Sequence, residues 1–216
     1  MKAVIFDLDG TLVDSAPDIA LSMNRLLADH GAPPQDVSFV EGFIGEGAKA
    51  LVAKLFAALD VRTDDLDKDV ATYIAYYRAN PVETSKLYAD AAPALKALHA
   101  AGIKLGVCTN KLQELAEIVL DHFGLLPLMS VVVGADSTPY TKPDPRPLLH
   151  AADALGVEPH EVVFVGDTGI DRDCATAARI SYRIVNWGTG RDVAVANEAR
   201  LSRFADLLPS AVAVGS

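Results

Sequence analysis

Two aspartates one residue apart, Asp7 and Asp9, follow directly on the apolar run Ala3 to Phe6 and open the stretch Asp7-Leu8-Asp9-Gly10-Thr11-Leu12-Val13-Asp14. Carboxylates so close together repel unless a hard cation is shared between their oxygens. A polar turn would use the same residue types. A calcium loop of the helix-loop-helix kind is excluded, because its required glycine position holds Leu12. Three further polar groups stand just beyond later apolar runs: Thr109-Asn110-Lys111, Lys142-Pro143-Asp144-Pro145, and Gly166-Asp167-Thr168-Gly169-Ile170-Asp171. Singly, each reads as a helix cap, a loop or a turn. Together they supply carboxylates, hydroxyls, an ammonium and backbone donors, the inventory of phosphoryl transfer, in which a protein positions the group and neutralises its oxygens. Asp7, Asp167 and a backbone carbonyl can hold one Mg²⁺ by oxygen, and Lys142, the Thr109 hydroxyl and helix-start N–H groups can take the phosphate oxygens.

These groups act together only if the fold gathers them. The runs Ala3 to Phe6, Ile103 to Cys108, Val131 to Val133, Val162 to Val165 and Tyr182 to Val185 read as buried strands. Helical patterns lie between them, with Leu112, Leu115, Val119 and Phe123 closed by Gly124, and Leu148 to Leu155 closed by Gly156. Strand and helix in alternation predict an α/β fold: a parallel sheet with right-handed crossovers and ligands at the carboxyl ends of its strands. All four polar groups fall at that edge. The segment from Ser15 to Thr84 has no comparable strand and reads as helical. Ser15 is expected to cap a helix starting near Pro17, with Ile19, Met23, Leu26 and Leu27 as its apolar face. Leu51, Val52, Leu55, Phe56 and Leu59 form a second face, and Val70, Tyr73, Ile74 and Tyr77 a third. The aromatic stripe at helical spacing is expected to be core, and the acidic run Asp64 to Asp69 a solvated helix start. The chain thus divides into a catalytic core of residues 1–15 and 85–216 and an inserted helical cap of residues 16–84.

Composition narrows the partners. The chain has 216 residues, half of them hydrophobic, and a net charge of −10 with no Lys/Arg-rich run to offset it, which argues against nucleic acid or an anionic membrane surface. A small phosphorylated metabolite remains possible if a cation and local lysines reverse the potential in one pocket. No apolar stretch approaches the roughly 20 residues of a membrane span, and the start lacks a signal peptide's apolar region, so a cytoplasmic location is expected. A monomer or small homo-oligomer is expected. Cys108 and Cys174 read as free buried thiols, and the five histidines as surface or boundary residues with no metal-type spacing.

In order and spacing, Asp7-x-Asp9-Gly10-Thr11, Thr109-Asn110, Lys142-Pro143 and Gly166-Asp167-Thr168-x-x-Asp171 resemble the four motifs of the haloacid dehalogenase-like superfamily. Within it the resemblance is to phosphoglycolate phosphatases, carried by Phe6 to Ser15, Ile44-Gly45-Glu46-Gly47-Ala48, Thr109-Asn110-Lys111 and Gly134-Ala135-Asp136-Ser137 leading to Lys142-Pro143-Asp144-Pro145. The resemblance implies a Rossmann-like core with a helical cap and a Mg²⁺-dependent phosphatase working through an aspartyl phosphate. It makes Asp7 the nucleophile and a metal ligand. Asp9 would be the proton donor and then the base, its main-chain carbonyl on the metal. Thr109 and Asn110 would bind the phosphoryl group, Lys142 would neutralise charge, Asp167 would complete the metal site with Asp171 behind it, and the loop Gly45-Glu46-Gly47 would close over the substrate. The dehalogenating members lack the second aspartate, so Asp9 argues for phosphate chemistry. Two departures stand out: Arg179 where a helix-ending glycine is usual, and Leu87-Tyr88-Ala89-Asp90 where an aromatic-Pro-Gly turn is expected. A sugar-phosphate mutase would use the same site and return the phosphoryl group to a sugar. A receiver-like signalling domain would need its aspartate after the third strand, where only Asp136 stands, and has no place for the helical insert.

Overall fold

The computed structural model describes residues 1–208. Each apolar run named above forms a strand: β1 (Ala3–Phe6), β4 (Lys104–Cys108), β5 (Val131–Val133), β6 (Val162–Gly166) and β7 (Ser181–Val185). With β8 (Arg200–Leu201) they make one sheet in the order β5-β4-β1-β6-β7-β8, every neighbouring pair parallel. β1 lies at the centre, Ile5 in register with Gly106 on one side and Phe164 on the other. The chain order reverses there, which opens a crevice beyond the carboxyl end of β1. Alternation along β1 divides the core. Val4 and Phe6 pack with Leu95, Leu98 and Val119 from α5 (Ala91–Ala100) and α6 (Gln113–His122). Ala3 and Ile5 face Leu148, Ala151, Cys174 and Ala175 from α7 (Arg146–Ala154) and α8 (Gly169–Ala178). Cys108 and Cys174 are free and buried, as expected.

The insert is all-helical, comprising α1 (Ala16–Asp29), α2 (Val37–Glu41), α3 (Ala48–Ala58) and α4 (Leu66–Ala79), and has its own apolar cluster around Met23, Leu26, Val52, Leu55 and Phe56. The chain leaves the sheet through β2 (Val13–Asp14) and returns through β3 (Lys86–Leu87), which pair antiparallel. Beside this ribbon the carboxylate of Asp18, fully buried in the first turn of α1, accepts hydrogen bonds from the main-chain N–H groups of Glu83, Thr84 and Ser85 and from the Thr84 and Ser85 hydroxyls. Burial alone would raise the pKa of Asp18, but these bonds outweigh it and lower it.

Several local expectations are corrected. Ser15 precedes α1 but makes no side-chain cap; its hydroxyl donates to Asp9 Oδ1 at 2.5 Å. Asp69 is not a solvated helix-start residue: it is buried and accepts from the Thr63 hydroxyl and from His30 Nε2, which lies 3.0 Å away. His30 is therefore paired, though far from the sheet edge. Arg179 does take the left-handed conformation its position predicts, φ 57° and ψ 35°. Asp90 is left-handed too, φ 58°, and its carboxylate accepts from the N–H groups of Phe204 and Ala205, so the sequence that replaces the expected Pro-Gly turn gains an anchor to the chain beyond β8. Among the described residues no helix is long and apolar enough to cross a membrane.

Candidate active site

The turns after β1, β4 and β6 and the loop after β5 meet in one cavity of about 390 Å³, closed on its far side by the insert. From β1 come Asp7 and Asp9; from β4, Thr109, Asn110 and Lys111; from β6, Asp167. Lys142 arrives from the loop after β5 and lies with its Nζ 3.0 Å from Asp7 Oδ1 and 2.6 Å from Asp171 Oδ1. Asp171 also accepts from the N–H and hydroxyl of Thr168 at the start of α8. Its oxygens are thus engaged, and it stands behind the cavity, holding Lys142. Asp167 is held on both oxygens, by the Thr11 hydroxyl at 2.9 Å and by the Thr189 hydroxyl. Gly10 sits at φ +80°, where a side chain would also run into the Asp167 carboxylate.

Asp9 faces away from this cluster. Its carboxylate accepts from Lys111 Nζ on both oxygens, at 2.8 Å each, as well as from Ser15. Asn110 does not leave its side chain free for a ligand. Its Oδ1 accepts from the Lys142 N–H at 2.9 Å, and its Nδ2 donates to the carbonyls of Lys142 and Gly45. The amide thus ties the loop after β5 to the Gly45-Glu46-Gly47 loop of the insert. Among the described residues the main-chain N–H groups of Leu8, Asp9 and Asn110 have no protein acceptor, and with the buried Thr109 hydroxyl they form a cradle of donors.

Burial raises Asp7 to about 6, opposed by Lys142 and assisted by Asp171 and Asp9. Asp167 is raised well above its usual range by burial and by the charges of Asp171 and Asp7. Burial alone would lower Lys142, but Asp171 and Asp7 more than offset it, so the ammonium stays charged. Asp7, Asp167 and Asp171 each bring an oxygen within 4.8 Å of the others. Asp7 Oδ1 is buried and makes no well-directed hydrogen bond. With Asp171 engaged, Asp7 and Asp167 are two buried, mutually repelling oxygen donors that a divalent cation fits.

The family model described as haloacid dehalogenase-like hydrolase matches residues 4–185. The chain belongs to this family. Similar haloacid dehalogenase-like relatives named phosphoglycolate phosphatase occur in Rhodospirillum rubrum, 42% identical over 95% of this chain and 87% of that protein, and in Aquifex aeolicus, 34% identical over 96% and 95%. The crystal structure of a predicted phosphoglycolate phosphatase from Haemophilus somnus superposes with a TM-score of 0.87 at 33% identity, covering 95% of this chain and 96% of that one. The fold is thus the α/β core with a helical insert expected of a haloacid dehalogenase-like phosphatase.

Several cavity residues carry no signal in the sequence. Thr189 grips Asp167 opposite Thr11, yet a threonine in a turn looks like any other. Tyr73, Tyr77 and Ile74 of α4 line the cavity as well as the insert's core. Lys111 stands in the Thr109-Asn110-Lys111 group, but nothing in the sequence pairs it with Asp9.

Proposed function

We propose that this hydrolase is a Mg²⁺-dependent phosphatase that takes the phosphoryl group of phosphoglycolate onto Asp7 and hydrolyses the aspartyl phosphate. The observation that carries this is the buried Asp7 carboxylate, with one oxygen lacking a well-directed hydrogen bond, between the Lys142 ammonium and the donor cradle. Asp7, Asp167 and the Asp9 carbonyl would hold the cation, whose chemistry is to neutralise the carboxylates and polarise the phosphoryl oxygens. Lys142, Thr109 and the free N–H groups of Leu8 and Asn110 bind the phosphoryl group. Asp9, released from Lys111 and Ser15 and carrying a proton, would reach the leaving oxygen, give it that proton and then take one from the attacking water. Residues 16–84 act as the cap and residues 1–15 and 85–216 as the core, with Gly45 to Gly47 at the closing edge. The relatives named phosphoglycolate phosphatase support the choice of substrate. Purified protein assayed against a panel of phosphate monoesters is expected to release phosphate only with Mg²⁺ or Mn²⁺ and to turn over phosphoglycolate fastest. Full activity after exhaustive chelation, or no preference for phosphoglycolate, overturns the corresponding half of the assignment.

A further inference from the structure

Lys142 and Lys111 flank the aspartate pair on opposite sides. Lys142 lies between Asp7 and Asp171 at the phosphoryl end. Lys111 lies beyond Asp9, its side chain 7% exposed and its Nζ 4.4 Å from the ring centroid of Tyr77. An ammonium has three N–H donors, and the two Asp9 oxygens account for two. Among the described residues the third has no acceptor but the Tyr77 ring that the ammonium overlies. The phenols above it have none. The Tyr77 hydroxyl is buried without a hydrogen bond, and Tyr73, 6% exposed, lines the cavity with no described acceptor for its hydroxyl. Burial raises both phenols above their usual range, so both keep their protons. Three donors from two parts of the fold therefore face one another across the cavity wall without a lone-pair acceptor, although buried donors are normally paired.

Their position relative to the chemistry identifies the missing acceptor. Asp9 is assigned to the leaving oxygen, and Lys111 is one hydrogen bond beyond Asp9. In phosphoglycolate the carboxyl carbon is two bonds beyond that same oxygen. The cavity's other lining residues include Asp14, Glu41 and Glu46, all acidic, and Lys49 is exposed with its Nζ 2.7 Å from Asp67. Of the two described lysines that line this cavity, Lys49 and Lys111, only Lys111 is buried beside the phenols.

We propose that Lys111, with the hydroxyls of Tyr73 and Tyr77, is a second anion subsite that binds the acid group on the leaving half of the substrate and so selects short phosphorylated acids over uncharged phosphate esters. This deepens the phosphoglycolate assignment and rests on it. The alternative is that Lys111 only fastens Asp9 in place. The two separate by comparing kcat/KM for phosphoglycolate and ethyl phosphate in the Mg²⁺-loaded enzyme, because losing a fastening of Asp9 slows both substrates and cancels in their ratio. The ratio is expected to fall about 100-fold in Lys111→Met, which removes a charge-assisted contact, and about 10-fold in the double variant Tyr73→Phe/Tyr77→Phe, which keeps both rings packed. A ratio unchanged in the double variant and in Lys111→Met overturns the subsite and leaves the phosphatase standing. If Lys111→Met does not fold, the double variant alone decides. A wild-type enzyme that turns over ethyl phosphate as well as phosphoglycolate overturns the substrate assignment and the subsite together.

Discussion

The carboxyl edge of the sheet and the helical insert face the same cavity but are built differently. At the edge most polar side chains are fastened: Lys142 to Asp7 and Asp171, Asp167 to Thr11 and Thr189, and Asn110 to the main chain of Lys142. The insert's wall has almost no polar fastening. Tyr73, Ile74 and Leu51 are placed by packing alone, and α4 contributes phenols without protein partners. On the proposed mechanism the edge is organised in advance for a transfer step that does not vary with the substrate, whereas the wall presents shape and a few free donors to the part that does. The bond from Asn110 to the Gly45 carbonyl and the Lys111 ammonium over the Tyr77 ring join the two.

Asp7→Asn breaks the edge most severely. With no other nucleophile on offer, turnover should fall by more than about 10⁴-fold. The fold should gain. Because the folded Asp7 pKa is raised to about 6 from 3.8, the ionised carboxylate costs stability above pH 6, and this cost disappears as the pH falls towards 4. Chelator-treated Asp7→Asn should therefore be more stable than the chelated parent at pH 8, by on the order of 3 kcal/mol, with the gap closing by pH 4. Parallel denaturant titrations check this, and a destabilised variant would show that Asp7 is held more favourably than its surroundings indicate.

Asp18→Asn tests the joint between the regions. It turns an amide towards donors that now meet a carboxylate and should cost about 2–3 kcal/mol at neutral pH. Since the folded Asp18 pKa is lowered, its contribution is complete above the ordinary carboxylate value and is lost as the pH falls through the folded one. The melting difference from the parent should hold at pH 7 and shrink below about pH 4. Arg179→Gly is the smallest change and lies outside both regions. At φ 57° glycine should stabilise by about 0.5–1 kcal/mol, read as a rise in melting temperature with unchanged turnover.

The sheet and the edge were legible because strands buried on both faces are unbroken apolar runs, and a parallel sheet sends whatever follows them to one side. That is why Asp7, Asp9, Thr109, Lys142, Asp167 and Asp171 could be placed together at that side. The two-residue strands β2, β3 and β8 were invisible, too short to show a period. Tyr73 and Tyr77 read as core because helical spacing fixes a face without saying whether a cavity opens beside it. The engagement of Asn110 with Gly45, and of Ser15 with Asp9 rather than with α1, depends on distant segments meeting, which no local pattern records.

The clasp at Asp18 has a consequence for how such a molecule can be altered. It pins the start of the insert to the chain that returns from it, beside the pairing of Val13–Asp14 with Lys86–Leu87, so the insert's two ends emerge side by side. Any other compact unit whose termini are neighbours meets the same joining condition. The insert is in that sense an exchangeable part, and a foreign helical unit grafted between Asp14 and Lys86 would present the same sheet edge with a different wall.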